Sequence, residues 1–239
     1  MNRSSRRRAL RLGGGSIVAA TFGLLAGCSA PTDGSTATPE GERILALGDS
    51  YTIGTSVAPE ERWVTKLAEK RRGAGYTVAD PTIVAENGWT TTDLHEGIDD
   101  ANLTDQYDLV TLLIGANNCF QEERPGVFRP KFAAMLERAL GFAAGPESLL
   151  VISVPNYTLT PVGQQNQPQE HATRLNAYNS IIRDEASAAG TRYVDVVPPS
   201  ENVTANPDLI AEDDLHPSGV QYDLWLERIS PEAMAALER

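Results

Sequence analysis

Cysteine and histidine are scarce in this chain, and the common cofactor signatures are missing from it. Its 239 residues hold two cysteines, Cys28 and Cys119, and three histidines, His95, His171 and His216. That is too few for a disulfide framework or a cysteine-rich zinc site. No His-Glu-x-x-His helix, Walker phosphate loop or dinucleotide fingerprint occurs. The carboxylates are scattered, so the sequence implies neither a metal nor a cofactor. The Gly-x-Ser-x-Gly elbow of the α/β-hydrolases is absent as well. No acidic residue precedes Cys28, whereas five arginines do (Arg3, Arg6, Arg7, Arg8 and Arg11). The rest of the chain sets 15 basic residues against 32 acidic ones. Such a body is a poor nucleic-acid binder, and its charge reads most simply as solubility.

The arginines open a targeting segment. Residues 1–27 pair a basic stretch ending at Arg11 with a small, apolar stretch from Leu12 to Ala26, the pattern of a secretory signal. The apolar part is short and rich in Gly and Ala, which argues against a permanent membrane span. Leu25-Ala26-Gly27-Cys28 resembles a bacterial lipobox, which implies cleavage before Cys28 and lipidation of that cysteine. Several acyl chains on one residue give stable anchoring. Ser5 to Leu10, with Arg6, Arg7 and Arg8, looks like a twin-arginine signal, and ordinary export with a basic leader fits equally well. Residues 28–41 are rich in Ser, Thr, Pro and Gly and read as a flexible tether. The expectation is an exported protein, held by lipid in a bacterial cell envelope and facing outside the cytoplasmic membrane. With Cys28 lipidated, Cys119 has no disulfide partner.

From residue 42 to 239, apolar runs alternate with amphipathic stretches. Strands are expected at Ile44–Leu47, within Tyr76–Ala85, and at Leu109–Ile114, Leu149–Val154 and Tyr193–Val197. Helices are expected at Glu60–Arg72, Thr91–Ile98, Pro130–Ala144 and Gln169–Ala189, and at Pro217–Leu237 with a break at Pro231. Unbroken apolar strands alternating with helices argue for a parallel sheet buried on both faces, hence a three-layer α/β/α sandwich. The polar segment Tyr157 to Pro168 reads as a long loop that either walls a site or is merely solvated.

Candidate chemistry falls just after the strands, where ligands of open α/β sheets bind. Gly48-Asp49-Ser50-Tyr51 follows the first strand. Asn87-Gly88-Trp89 follows the second, and Gly115-Ala116-Asn117-Asn118 the third. Asp213-Asp214-Leu215-His216-Pro217 follows the fifth. A serine hydroxyl needs a base, and His216 with a carboxylate three residues earlier supplies a base and its orienter. That pairing points to acyl transfer. Alone, Gly-Asp-Ser is more often a turn, and His216 fits a helix N-cap with Pro217 at the first helical position. Trp89 suits core or pocket wall equally. His95 and His171 are placed on surface helices, away from the chemistry.

Taken together, these four blocks resemble those of the GDSL, or SGNH, hydrolases, with Asn118 standing where the family usually has Asp. The resemblance implies a flavodoxin-like, five-stranded parallel sheet and a serine esterase independent of metal and cofactor. It implies Ser50 as nucleophile, His216 as base and Asp213 as orienter. It also implies an oxyanion hole made of the Ser50 and Gly88 backbone N–H groups and the Asn117 amide. Expected substrates are small-molecule, lipid or acylated-glycan esters. Activity should rise with pH through about 6–7, where an ordinary imidazole loses its proton. A transacylase using the same residues, or a non-catalytic binding lipoprotein on this fold, remains open.

Overall fold

The computed structural model describes residues 41–103 and 106–238. The expected signal segment, Cys28 and the expected tether up to residue 40 lie outside the described residues. Strands β1 (Ile44–Gly48), β2 (Thr82–Ala85), β3 (Leu109–Leu113), β4 (Leu149–Ile152) and β5 (Arg192–Val194) form one parallel sheet in the order 2-1-3-4-5. Every residue of β1, β3 and β4 is buried, whereas the edge strands β2 and β5 are only partly covered. This is the flavodoxin-like order; all five strands run the same way, and the order of succession reverses between β1 and β3, whose carboxyl ends open a crevice.

The helices are α1 (Ser50–Ile53), α2 (Trp63–Gly73), α3 (Thr91–Asp100), α4 (Ala116–Phe120), α5 (Pro125–Leu140), α6 (Pro161–Gln164), α7 (Pro168–Ala188), α8 (Val197–Ser200) and α9 (Gly219–Leu237). Helices α2 and α9 pack together over one face of the sheet, and α3, α5 and α7 over the other. In α2 the buried side chains are Trp63, Val64, Leu67 and Ala68, a spacing that stacks them on one helical face. Burying a Val or Leu of this kind stabilises by about 1.5–3 kcal/mol. The next turn places Arg71 on that face. Its buried guanidinium meets the Glu42 carboxylate at 2.7 Å and covers the Tyr76 ring, so the charge is not left unpaired. Across the sheet, Phe128 of α5 stacks on Tyr178 of α7 with ring centroids 3.9 Å apart.

Several expectations need correction, mostly where proline misleads. Helix α5 begins at Pro125 rather than Pro130, because proline suits a first helical position, where no N–H is needed. Pro130 then sits inside the helix, and the bond its missing N–H forgoes is the one to the carbonyl of Gly126, an exposed residue. Helix α9 runs unbroken through Pro231. Only the Glu227 carbonyl loses its bond there, on an exposed residue, while buried Ile229 and Ala233 hold the helix on either side. The N-cap of α9 is Ser218, whose hydroxyl accepts from the Gln221 N–H, so His216 is not the cap. Strand β5 stops at Val194 because Pro198 and Pro199 start the short helix α8. The expected long loop after β4 holds a 3-10 turn at Tyr157–Leu159 and the single turn α6.

Candidate active site

Ser50 is set by a tight turn at the end of β1. β1 ends at Gly48, where a Cβ would stand 2.2 Å from Thr52 Oγ1 and 2.4 Å from the Leu113 carbonyl. Only glycine fits there. Asp49 then caps α1, its Oδ1 accepting the Tyr51 N–H at 3.0 Å. Ser50 is the first residue of α1, so its own N–H has no acceptor within the helix. The Tyr51 carbonyl accepts from both Trp63 Nε1 and the Tyr222 hydroxyl, each at 3.1 Å. Helices α2 and α9 thereby fix the turn from outside. Asp49 is fully buried and its Oδ2 has no partner. Burial pushes this carboxyl up to about 7, against the pull of the hydrogen bonds from Tyr51 and its own backbone.

His216 comes from the loop between the 3-10 turn Pro207–Leu209 and α9. The loop is closed by Ala211 N–H donating to the His216 carbonyl at 2.8 Å. Within it, Asp213 Oδ1 accepts the N–H groups of Leu215 and His216 at 3.0 and 2.9 Å. Oδ2 lies 2.6 Å from His216 Nδ1. The Ser56 hydroxyl donates to the same Oδ2 at 2.5 Å. Burial alone would raise the Asp213 carboxyl. The Ser56 hydroxyl and the bonds from His216 and Leu215 outweigh it and bring the group down to about 2. Asp213 is therefore an anion across the ordinary pH range. The His216 ring is buried against Tyr51, with centroids 5.4 Å apart.

Asn117 and Asn118 lie in the first turn of the short helix α4, two residues after β3. Gly115 caps it at φ +126°, with the Phe128 ring 3.0 Å from where a Cβ would be. Asn117 Nδ2 donates one hydrogen to the Trp89 carbonyl at 2.9 Å. Asn118, which stands where the resemblance leads one to expect Asp, is buried. It accepts from the Thr91 N–H at 3.0 Å and donates to Thr91 Oγ1 and to Glu123, each at 3.1 Å. It ties the start of α3 to α4. Trp89 itself packs its ring on Gly97 of α3 and is partly buried against the core.

A cavity of about 110 Å³ joins these pieces. It is lined by Ser50, Asn87, Asn117 and His216 on the polar side and by Phe120, Tyr157 and Leu215 among the apolar walls. Gly88 does not line it, standing beside Asn87 at φ +88°, a left-handed conformation that favours glycine. Asp213 lies behind His216. Among the described residues no hydrogen bond joins the Ser50 hydroxyl to His216, whose ring is bonded to Asp213.

Tyr157 opens the polar segment whose sequence fits either a wall or a solvated loop, and it lines this cavity. It is buried, and its hydroxyl lies 3.0 Å from His171 Nδ1 and 3.2 Å from Cys119 Sγ. His171 is accordingly buried rather than on the surface, with Phe120 edge-on to it. His95 is half-buried and held by Arg138. Ser56 carried no sequence signal, because its partner is 157 residues away. Among the described residues no cluster of His, Cys, Asp and Glu stands ready for a metal, and no helix is long and apolar enough to cross a membrane.

Residues 46–224 match the model of the GDSL-like lipase/acylhydrolase family. No curated protein matches the chain. Similar solved structures include TesA, at 18% identity with a TM-score of 0.65, covering 82% of this chain and all of TesA. They also include a lipase/acylhydrolase from Enterococcus faecalis (22%, TM-score 0.59, 82% of this chain and 94% of that one). A third is the acetylxylan esterase Axe2 from Geobacillus stearothermophilus (16%, TM-score 0.62, 83% and 95%). At these identities the structures share the fold.

Proposed function

The chain belongs to the GDSL-like lipase/acylhydrolase family, and from that premise we propose that it is a serine esterase acting on short-chain acyl esters at the crevice above β1 and β3. The observation that carries the reading is the convergence of Ser50, Asn117 and His216 on one cavity, with Asp213 bonded behind the imidazole.

In this reading Ser50 Oγ attacks the ester carbonyl carbon and His216 takes its proton. Anionic Asp213 fixes the ring through Nδ1, leaving the other nitrogen for the hydroxyl, and stabilises the imidazolium that forms. The carbonyl oxygen becomes an oxyanion, received by the Ser50 N–H and the second Asn117 amide hydrogen; the family resemblance adds the Gly88 N–H, next to the lining residue Asn87. Collapse expels the alcohol, which takes the proton from His216. Water, activated by the same histidine, then hydrolyses the acyl-serine.

The cavity supports a small acyl group. At about 110 Å³ it is smaller than the roughly 150 Å³ cavity that holds benzene, so its inner end suits a short acyl group. Acetylated glycans and small acetyl or butyryl esters are the matching substrates. The signal peptide at residues 1–27, lipid on Cys28 and a tether to residue 41 belong to the same proposal, and would present the domain 42–239 to envelope glycans and lipids. Loss of radiolabelled palmitate incorporation in Cys28→Ala would support the anchor, and unchanged labelling would refute it.

The test is hydrolysis of p-nitrophenyl esters from acetate to palmitate by the detergent-solubilised full chain, beside Ser50→Ala and His216→Ala. Activity on short esters that vanishes in both variants supports the reading. A folded protein that hydrolyses none of them and takes no fluorophosphonate on Ser50 overturns it in favour of a binding protein.

A further inference from the structure

Ser56 lies outside the four sequence blocks, on the turn that follows α1. Gly54 caps that helix in the left-handed region, and the Val57 N–H closes the turn onto the Gly54 carbonyl. Ser56 sits in this turn at φ +66°, a conformation that favours glycine or asparagine over other residues. A serine kept there needs a reason, and its side chain supplies one. The hydroxyl donates to Asp213 Oδ2 at 2.5 Å, across 157 residues of sequence. The neighbour of Asp213 on the other side, Asp214, is also left-handed, at φ +61°. Strained backbone thus flanks the carboxylate on both sides, as is common where geometry serves a site.

The carboxylate has few other constraints on its outer edge. The Asp213 side chain is 30% exposed, whereas that of His216 is 7% exposed. Oδ1 is held by two backbone N–H groups of its own loop. Oδ2, which faces the imidazole, receives its second donor from Ser56 alone among the described residues. The Ser56 bond also links the loop after α1, which carries the Ser50 turn at its other end, to the loop that carries His216.

We infer that Ser56 is a positioning residue, which clamps the Asp213 carboxylate so that its Oδ2 stays aimed at His216 Nδ1. The inference rests on the esterase reading for its kinetic consequence and on geometry alone for the clamp itself. Ser56 touches no reacting atom. It acts by restricting rotation of Asp213 about its own side chain, and so the orientation of the imidazole relative to Ser50.

The experiment compares Ser56→Ala and Ser56→Gly with the wild-type chain. Both variants lose the hydroxyl, but glycine relaxes the left-handed backbone and alanine does not. A role in backbone geometry alone would therefore separate them, and a clamp would not. Both should lower kcat by about 10-fold, the effect of losing a hydrogen bond to a charged group, with KM changed less than about twofold because substrate binding is untouched. The downfield proton resonance of the His216 Nδ1–H should exchange with water several-fold faster in both. Wild-type kcat in Ser56→Gly, or an unchanged exchange rate of that proton, overturns the clamp. The resonance is read on the resting protein, so a chain that hydrolysed no ester would sink the esterase reading and still leave the clamp to be judged.

Discussion

Asn117 Nδ2 and the Trp89 carbonyl are 2.9 Å apart, and this bond fixes the carboxamide that lines the cavity beside Ser50. One amide hydrogen is committed to Trp89. In the proposed mechanism the other, which carries no charge of its own, donates to the developing oxyanion. Asn117→Ala is therefore expected to lower kcat by about 10²–10³, with KM changed only a few-fold. Steady-state kinetics on p-nitrophenyl acetate measures it, and a loss under threefold would remove Asn117 from the oxyanion hole.

The Asp213 carboxylate holds His216 at 2.6 Å and is depressed to about 2 from its ordinary 3.8. Asp213→Asn keeps the shape but inverts the donor pattern at Nδ1. It should reduce kcat by about 10⁴, as it does in serine proteases with this arrangement. The sign of the stability effect follows from the depressed value. The native state gives up this proton more readily than the unfolded chain, so the contribution is complete above the ordinary value and fades as pH falls from 3.8 towards 2. The stability gap between wild type and Asp213→Asn, taken from urea unfolding, should be constant above that range and shrink within it.

The apolar end of the cavity is bounded by Phe120, which stands edge-on to His171 and tilted against Tyr157. Phe120→Ala removes the most exposed of the apolar walls, and leaves the buried Tyr157 and His171 in place. The chain-length optimum should lengthen, with kcat/KM for octanoate relative to acetate rising about 10-fold or more, the usual worth of a few methylenes in a pocket. An unchanged ratio would mean that the acyl chain lies elsewhere.

How far the sequence told of this follows from the range of each interaction. The apolar runs of β1, β3 and β4 announced a parallel sheet because every residue in them is buried. Asp213 and His216 were legible as a pair because their bond closes within a single turn. Contacts between distant segments left no such trace. The Ser56 bond spans 157 residues, and the Asn118 bonds to Thr91 span 27. His171 was misread as a surface residue because α7 is polar along most of its length, with exposed Gln169, Glu170 and Thr173 around it. The prolines misled for a local reason: Pro130 and Pro231 each cost one helical bond, at a carbonyl on an exposed residue.

Asp49, next to the proposed nucleophile, makes the chain's pH dependence unusual. It is fully buried, Oδ1 accepts one hydrogen bond, and Oδ2 has none. Burial raises it from 3.8 to about 7. The native state therefore binds this proton more tightly than the unfolded chain does. Its contribution to stability is complete below the ordinary value, declines as pH rises towards 7, and is flat above. Asp49→Asn keeps an oxygen for the Tyr51 N–H and has no proton to lose. The stability of Asp49→Asn relative to wild type should thus grow by on the order of 4 kcal/mol between pH ~4 and ~8. Urea unfolding of both proteins at several pH values measures this, and a difference that does not change with pH would mean that Asp49 is ionised throughout. Because Asp49→Asn keeps the oxygen that caps the Ser50 turn, it should retain most of the wild-type kcat while Ser50→Ala retains none.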